Sequence, residues 1–226
     1  MSKDEEQQIA ARASLKYVRD GDVVGLGSGS TAARAIRLLG ELVRGGLKIR
    51  GIPTSTRSGD LAASLGIPLI TLDDVDSIDV TIDGADEFDA GLRLIKGGGG
   101  ALLREKIVAS ATRQEIIVAD SSKQVSTLGK FPLPVEVIRL ALRPVGRSLS
   151  ALGAAVQLRK ISTGEPFVTD EGNYILDCHF GRIPDPPGLA CAVREIPGVV
   201  EHGLFLHEAR VVLMGKAGRV VVFRKP

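Results

Sequence analysis

A chain of 226 residues, 44% hydrophobic and 25% charged, has the composition of an ordinary globular protein, with room for one large domain or two small ones. A formal net charge of +2, scattered bases and no tryptophan exclude the basic, aromatic-interleaved surface that binds nucleic acid. No apolar run reaches the length of a membrane span, and the acidic start MSKDEEQQ lacks the apolar core of a signal peptide, so a cytoplasmic protein is expected.

Residues 4–18 carry Ile9, Ala13, Lys16 and Tyr17 near helical spacing and predict a helix, closed by the turn Asp20-Gly21-Asp22. Val23-Val24-Gly25-Leu26-Gly27 predicts a buried strand. It runs into Ser28-Gly29-Ser30-Thr31 and a helix through Ile36, Leu39 and Val43, with Ser30 or Thr31 as the expected N-cap. This unit is not a dinucleotide fingerprint, because Ser30 stands where the third glycine is required, and not a P-loop, because the lysine is missing. What it offers is a compact pocket of N–H groups and hydroxyls suited to a phosphate or a sugar hydroxyl. Pro53-Thr54-Ser55-Thr56 is a second strand-to-helix loop, with a helix to about residue 65 and a short strand at 69–72.

The densest chemistry lies at residues 79–106. Asp79-Val-Thr-Ile-Asp83 reads as a buried strand ending on an acid, followed by Asp86, a short strand ending at Lys96, four glycines (Gly97, Gly98, Gly99, Gly100) and a helix from near Ala101 that carries Glu105. Open α/β sheets place their chemistry beyond the carboxyl ends of strands. Glycines let backbone N–H groups approach a bound oxyanion, and the first N–H groups of the following helix favour negative charge. Lys96 reads as a point cation at the mouth of the loop. Any one of these groups alone would be a solvated charge or a flexible turn. Acids, cation and glycines within one strand–loop–helix unit read as a site.

Residues 115–119 predict another strand, with Asp120-Ser-Ser-Lys123 placing a second cation at its carboxyl end. Phe131-Pro132-Leu133-Pro134 marks a boundary, beyond which the pattern becomes α+β. Helices are expected at 144–152 and 189–196, and strands at 155–160, 174–180, 199–206, 211–214 and 220–223. With few clustered polar groups, this half is expected to serve packing or oligomerisation. Cys178 and Cys191 are thiols of a reducing compartment, and His179, His202 and His207 match no zinc spacing, so no metal is expected and acid–base work falls to carboxylates.

Several blocks resemble ribose-5-phosphate isomerase, type A: Gly25-Leu-Gly-Ser-Gly-Ser-Thr31, Pro53-Thr-Ser55, Asp83-Gly-Ala-Asp86, Lys96-Gly-Gly-Gly99, Arg104-Glu-Lys106 and Asp120-Ser-Ser-Lys123. Gly129-Lys-Phe-Pro-Leu-Pro-Val-Glu136 and Ile196-Pro-Gly-Val-Val200 extend the resemblance over nearly the whole chain. It implies an α/β fold, a Rossmann-like open-sheet domain of residues 1–130 and 207–226 with an inserted ferredoxin-like α+β lobe of residues 131–206. It further implies a homodimer or homotetramer without metal or cofactor that interconverts D-ribose 5-phosphate and D-ribulose 5-phosphate in the pentose phosphate pathway. By position, Glu105 is then the general base, and Asp83, Asp86 and Lys96 surround the reacting end of the sugar. Ser28, Gly29, Ser30, Thr31, Gly84, Ala85, Gly97, Gly98, Gly99 and Lys123 belong to the substrate pocket, the lysine assisting anion binding. The chain departs from the family pattern at Thr56-Arg57-Ser58-Gly59 and at Arg210, which bears on local helix stability and interface pairing.

The residues read by themselves agree. Moving a carbonyl from C1 to C2 through an enediolate requires a base for a carbon-bound proton and donors where charge develops on oxygen. Glu105 suits the first role, Lys96 and the glycine-loop N–H groups the second. Asp83 or Asp86 could relay protons between oxygens or help open the furanose ring. A non-catalytic sugar-phosphate sensor would use the anion loop and Lys123 but leave the carboxylates unexplained. A CoA transferase of similar fold, with a glutamate nucleophile, is the other alternative.

Overall fold

The computed structural model of the chain describes residues 2–225. Its elements begin with helix α1 (Lys3–Ser14), strand β1 (Val23–Leu26), helix α2 (Gly29–Arg44), β2 (Arg50–Pro53), α3 (Thr56–Ser64) and β3 (Ile78–Gly84). Two short strands, β4 (Glu87–Phe88) and β5 (Leu94–Ile95), precede α4 (Leu102–Ser110) and β6 (Thr112–Asp120). Next come β7 (Leu133–Val137), α5 (Leu142–Ala151), β8 (Ala155–Leu158), β9 (Tyr174–His179), α6 (Pro186–Arg194) and β10 (Val199–His202). The chain closes with β11 (Leu204–Phe205), β12 (Ala209–Lys216) and β13 (Arg219–Arg224).

Aliphatic runs buried on both faces make the central strands. They form a six-stranded sheet in the order β13-β12-β6-β3-β1-β2, parallel except for β13, which pairs antiparallel with β12. One face carries Val24, Leu26, Val80, Ile82, Ile116 and Val118 against Ala10 and Ala11 of α1 and Ala35, Ile36 and Leu39 of α2. Each fully buried leucine or isoleucine there contributes about 1.5–3 kcal/mol. The other face packs Ile117, Ala119, Val212 and Met214 with Phe88, Ala109 and Phe205. This is a Rossmann-like α/β sheet, and β1, β3 and β6 deliver their carboxyl ends to one edge.

Residues 133–202 form a second sheet, antiparallel, in the order β10-β7-β9-β8. The sequence of elements is β7-α5-β8-β9-α6-β10, the ferredoxin-like βαββαβ arrangement. Its core is its own, with Val135, Val145, Leu149, Leu176 and Val193 buried together. A three-stranded sheet, β11-β5-β4, sits where the chain returns towards the large sheet.

Four local expectations are corrected. Residues 69–72 do not make a strand: only Leu69 bridges Gly51, and Leu72–Asp74 is a 3-10 turn in which the Asp74 carboxylate accepts from the Thr71 N–H and hydroxyl. The strand expected at 199–206 breaks at Gly203, where β10 leaves β7 and β11 joins β5. Helix α6 begins at Pro186 rather than residue 189, because Asp185 caps it by accepting the Gly188 N–H and proline suits the first helical position. The N-cap of α2 is Ser28, not Ser30 or Thr31. At the departure Thr56–Gly59, Ser58 completes a capping box with Ser55, so α3 starts firmly.

Candidate active site

The site grows from the carboxyl ends of β1 and β3. Gly27 follows β1 directly, and a Cβ there would lie 2.3 Å from Asp83 Oδ1, so only glycine lets the acid sit against the backbone. Asp83 is 1% exposed. Its Oδ1 accepts the N–H groups of Ser28 (2.9 Å) and Gly84 (2.7 Å), and its Oδ2 lies 3.0 Å from Lys96 Nζ. The Ser28 hydroxyl meets Thr54 Oγ1 and Ser55 Oγ, each at 2.8 Å, tying the first two strand-to-helix loops together.

Lys96 is not at the mouth of the glycine loop, as expected, but 2% exposed at the bottom of the site. Strand β5 ends just before it, its N–H donates to Gly203 O at 2.9 Å, and its ammonium donates to Gly84 O. Its Nζ also lies 3.6 Å from Glu105 Oε1 and 5.4 Å from the Phe205 ring centroid. Burial opposes the lysine's charge, but Asp83, Glu105 and Glu115 together hold its pKa above the usual lysine range. Glu105, in the first turn of α4, is 6% exposed, and its Oε2 is buried without a hydrogen-bond partner. Burial pushes its pKa up to about 8 against the pull of Lys96, and Asp83 and Asp86 add to the rise. Glu115 on β6 is a buried acid that sequence reasoning missed. Burial and then Asp83 raise its pKa well above the carboxylate range.

The cleft above this cluster is lined by Ser28, Gly29, Ser30, Thr31, Gly84, Ala85, Asp86, Lys96, Gly97, Gly98, Gly99, Glu105 and Lys123, together with Lys3 and Gln7 of α1. Asp83 lies beneath it and does not line it. Asp86 accepts the Gly98 N–H at 2.7 Å and stands 4.0 Å from Lys123 Nζ, so these two face each other across the opening. Gly100 is not a free donor, because its N–H closes a turn onto Gly97 O at 3.0 Å. Lys3 and Gln7 were not anticipated. One helical turn apart, they reach Asp120 Oδ2 at 3.7 and 3.0 Å, which brings the N-terminal helix to the end of β6. A larger open hollow of about 640 Å³ lies at the other end of the strands, around Tyr17, Asp22, Asp79 and Gln114, and holds none of the cluster. Among the described residues no group of three or more histidine, cysteine or acidic side chains is placed to hold a metal ion.

A parallel sheet whose carboxyl edge holds a buried carboxylate–lysine cluster, N–H donors and peripheral cations defines a class: α/β enzymes that move a proton on a small anionic substrate. The family model for ribose 5-phosphate isomerase A (phosphoriboisomerase A) matches residues 50–219. The ribose-5-phosphate isomerase A of Parvibaculum lavamentivorans is 52% identical over 221 residues, 95% of this chain and 96% of that protein. That of Rhodopseudomonas palustris is 54% identical over 225 residues, 96% of this chain and 97% of that one. The structure of ribose 5-phosphate isomerase A from Methanocaldococcus jannaschii superposes with a TM-score of 0.95 at 42% identity, covering 99% of this chain and all of that one. A D-ribose-5-phosphate isomerase in complex with phospho-erythronic acid does so with a TM-score of 0.96, also at 42% identity and with coverage of 99% and 100%. The chain belongs to the ribose 5-phosphate isomerase A family.

Proposed function

We infer that Glu105 is the base with which this isomerase interconverts D-ribose 5-phosphate and D-ribulose 5-phosphate. The observation that carries the assignment is Glu105 itself: it lines the cleft, its Oε1 lies 3.6 Å from the Lys96 ammonium, and its Oε2 is buried without a hydrogen-bond partner. Of the two carboxylates lining the cleft among the described residues, Asp86 is already engaged with the Gly98 N–H and faces Lys123.

In the open-chain aldose, Glu105 takes the proton from C2, and the electron pair of that bond forms the C1–C2 double bond while charge gathers on O1. Lys96 and the Gly99 N–H supply the donors for that charge. The hydroxyl proton of O2 passes to O1, which moves the charge to O2. Glu105 then returns its proton to C1 as the C2 carbonyl of the ketose forms. Asp86 is placed for that oxygen-to-oxygen transfer and for opening the furanose ring. Asp83 orients Lys96 and the Ser28 and Gly84 N–H groups. Lys123, Ser30, Thr31 and Lys3 form the anion-holding end. Phospho-erythronic acid, bound by the relative above, pairs a phosphate with a planar carboxylate, the features of an enediolate mimic.

Replacing Glu105 by glutamine keeps shape and hydrogen-bonding capacity but removes the base. We expect retained substrate binding and a kcat lower by roughly 10²-fold or more, read by ketose formation from ribose 5-phosphate. A variant within a few-fold of the parent would remove Glu105 from this role. We further propose that residues 1–130 and 207–226 form one domain and residues 131–206 the other, and that the protein works in the cytoplasm as a homodimer or homotetramer. The exposed Val221 and Val222 on edge strand β13 support a covered surface in the assembly.

A further inference from the structure

We propose that Arg159, in the antiparallel lobe, is a positioning residue for the isomerisation, holding the peptides that join Gly97, Gly98 and Gly99 so that the Gly99 N–H faces the cleft. This rests on the isomerase reading above and adds a residue that lies outside the cleft lining. Arg159 Nη1 donates to Gly97 O at 2.8 Å and to Gly98 O at 3.1 Å. The rest of the guanidinium is occupied by Asp177 on β9: Nε donates to Oδ2 at 2.9 Å and Nη2 to Oδ1. Both side chains are largely buried, 13% and 17% exposed.

The consequence follows from the planarity of the peptide unit. In a trans peptide the C=O and the next N–H point in opposite directions, and no cis peptide occurs among the described residues. Gly97 O is turned to Arg159, so the Gly98 N–H points away from the lobe, and it is found on Asp86 Oδ2 at 2.7 Å. Gly98 O is turned to Arg159 as well, so the Gly99 N–H also points away from the lobe. That is the side of the cleft, which Gly99 lines. The Gly100 N–H already holds Gly97 O at 3.0 Å, but glycine accepts either sign of φ, so the central Gly98–Gly99 peptide of this turn is free to flip and present its carbonyl to a developing oxyanion. One cation gripping both carbonyls opposes that flip. The guanidinium stands 6.0 Å from the Phe167 ring, and a Cβ on Gly100 would lie 2.4 Å from that ring, so the loop is boxed from the lobe side.

The test compares the parent with Arg159→Met, Arg159→Lys and Arg159→Ala, using ribose 5-phosphate as substrate and phospho-erythronate as inhibitor. Arg159→Met should lower kcat by about 10- to 10²-fold, somewhat less than outright loss of an oxyanion donor. Its KM should stay within about threefold, because the anion-holding end is untouched. The inhibition constant should rise in step with the fall in kcat/KM. Arg159→Lys, with one donor group for two carbonyls, should fall between. Added guanidinium at millimolar concentration should restore part of the activity of Arg159→Ala, a response that a packing defect would not give. Arg159→Met with kcat within twofold of the parent overturns the proposal. So does a loss spread over KM and kcat that guanidinium does not relieve. If the Arg159 variants do not fold, Asp177→Asn keeps the guanidinium and loosens its support: a smaller loss confined to kcat is expected, and an unchanged kcat overturns the proposal. A parent protein that makes no ketose would defeat the isomerase reading itself, which separates the two failures.

Discussion

As the proposed base, Glu105 faces opposite demands, since a base must be ionised while burial keeps its proton on. With its pKa pushed up to about 8 by burial, kcat/KM of the parent should rise with pH and level off above that value. Glu105→Gln should lose this limb from its residual activity. The linkage to stability runs the other way. A carboxyl whose folded pKa is raised from 4.5 favours the fold while protonated, so its contribution is full below the unfolded value and is lost as pH rises through about 8. Urea denaturation should therefore show Glu105→Gln close to the parent near about pH 5 and more stable than the parent near about pH 8.5. Equal differences at both pH values would contradict the raised pKa. Glu115, buried below the site, has its pKa raised in the same direction by burial and then by Asp83.

Helix α4 shows how one element serves two bodies. Glu105 turns to the cleft, while the adjacent Lys106 turns to the end of β10, donating to Glu201 Oε1 at 2.8 Å and His202 O at 2.5 Å and lying 4.7 Å from the Phe205 ring centroid. The Phe205 ring centroid thus lies within 5.4 Å of both ammonium groups, so the return strand braces both lysines. Burial lowers the pKa of Lys106, and burial with Lys106 brings His202 down to about 4, leaving the imidazole uncharged at neutral pH. Glu201→Ala strands the lysine and should cost about 3 kcal/mol at neutral pH by chemical denaturation. The pKa of Glu201 is lowered in the fold, chiefly by Lys106 against burial, so this contribution is present above the ordinary carboxylate range and disappears as pH falls through the depressed value. The parent and the variant should converge in acid. A difference that persists there would mean the loss is one of packing.

At the scale of the whole molecule the antiparallel lobe braces the elements that carry the site. Gly203 O holds the Lys96 N–H, Arg159 holds the glycine loop, and Asp170 Oδ2 accepts the Thr56 N–H at 2.8 Å and pairs with Arg104 at 3.4 Å. These contacts add, to the packing or oligomerisation expected of this half, a place beside the site. Edge strand β13 is the place to look for assembly: it offers Val221 and Val222 to solvent, each more than a third exposed. Sedimentation velocity should give a dimer or tetramer, and Val222→Lys should shift the distribution towards monomer. A monomeric parent would rule the assembly out.

The sequence by itself determined what is local. Val23-Val24-Gly25-Leu26-Gly27 had to be a buried strand, the acids at 83 and 86 had to follow a strand end, and four glycines before a helical run had to form a loop with N–H groups to spare. Those features depend on side-chain period and glycine freedom over a few neighbours, and together with the motifs that resemble the family they pointed to thirteen of the lining residues. The tertiary structure alone decided which groups are removed from water. Lys96 reads as a surface cation until β11 and the Asp83–Glu105 pair enclose it, and Glu115 reads as an ordinary strand residue until it is buried under the same cluster. Gln7 meets Asp120 across 113 positions, and Arg159 meets Gly98 across 61. No periodicity or propensity extends over such spans. Pairings at that distance arise only when the whole chain has closed, because it is the packing of the two sheets that sets which polar groups must find each other or stay unpaired in a dry interior.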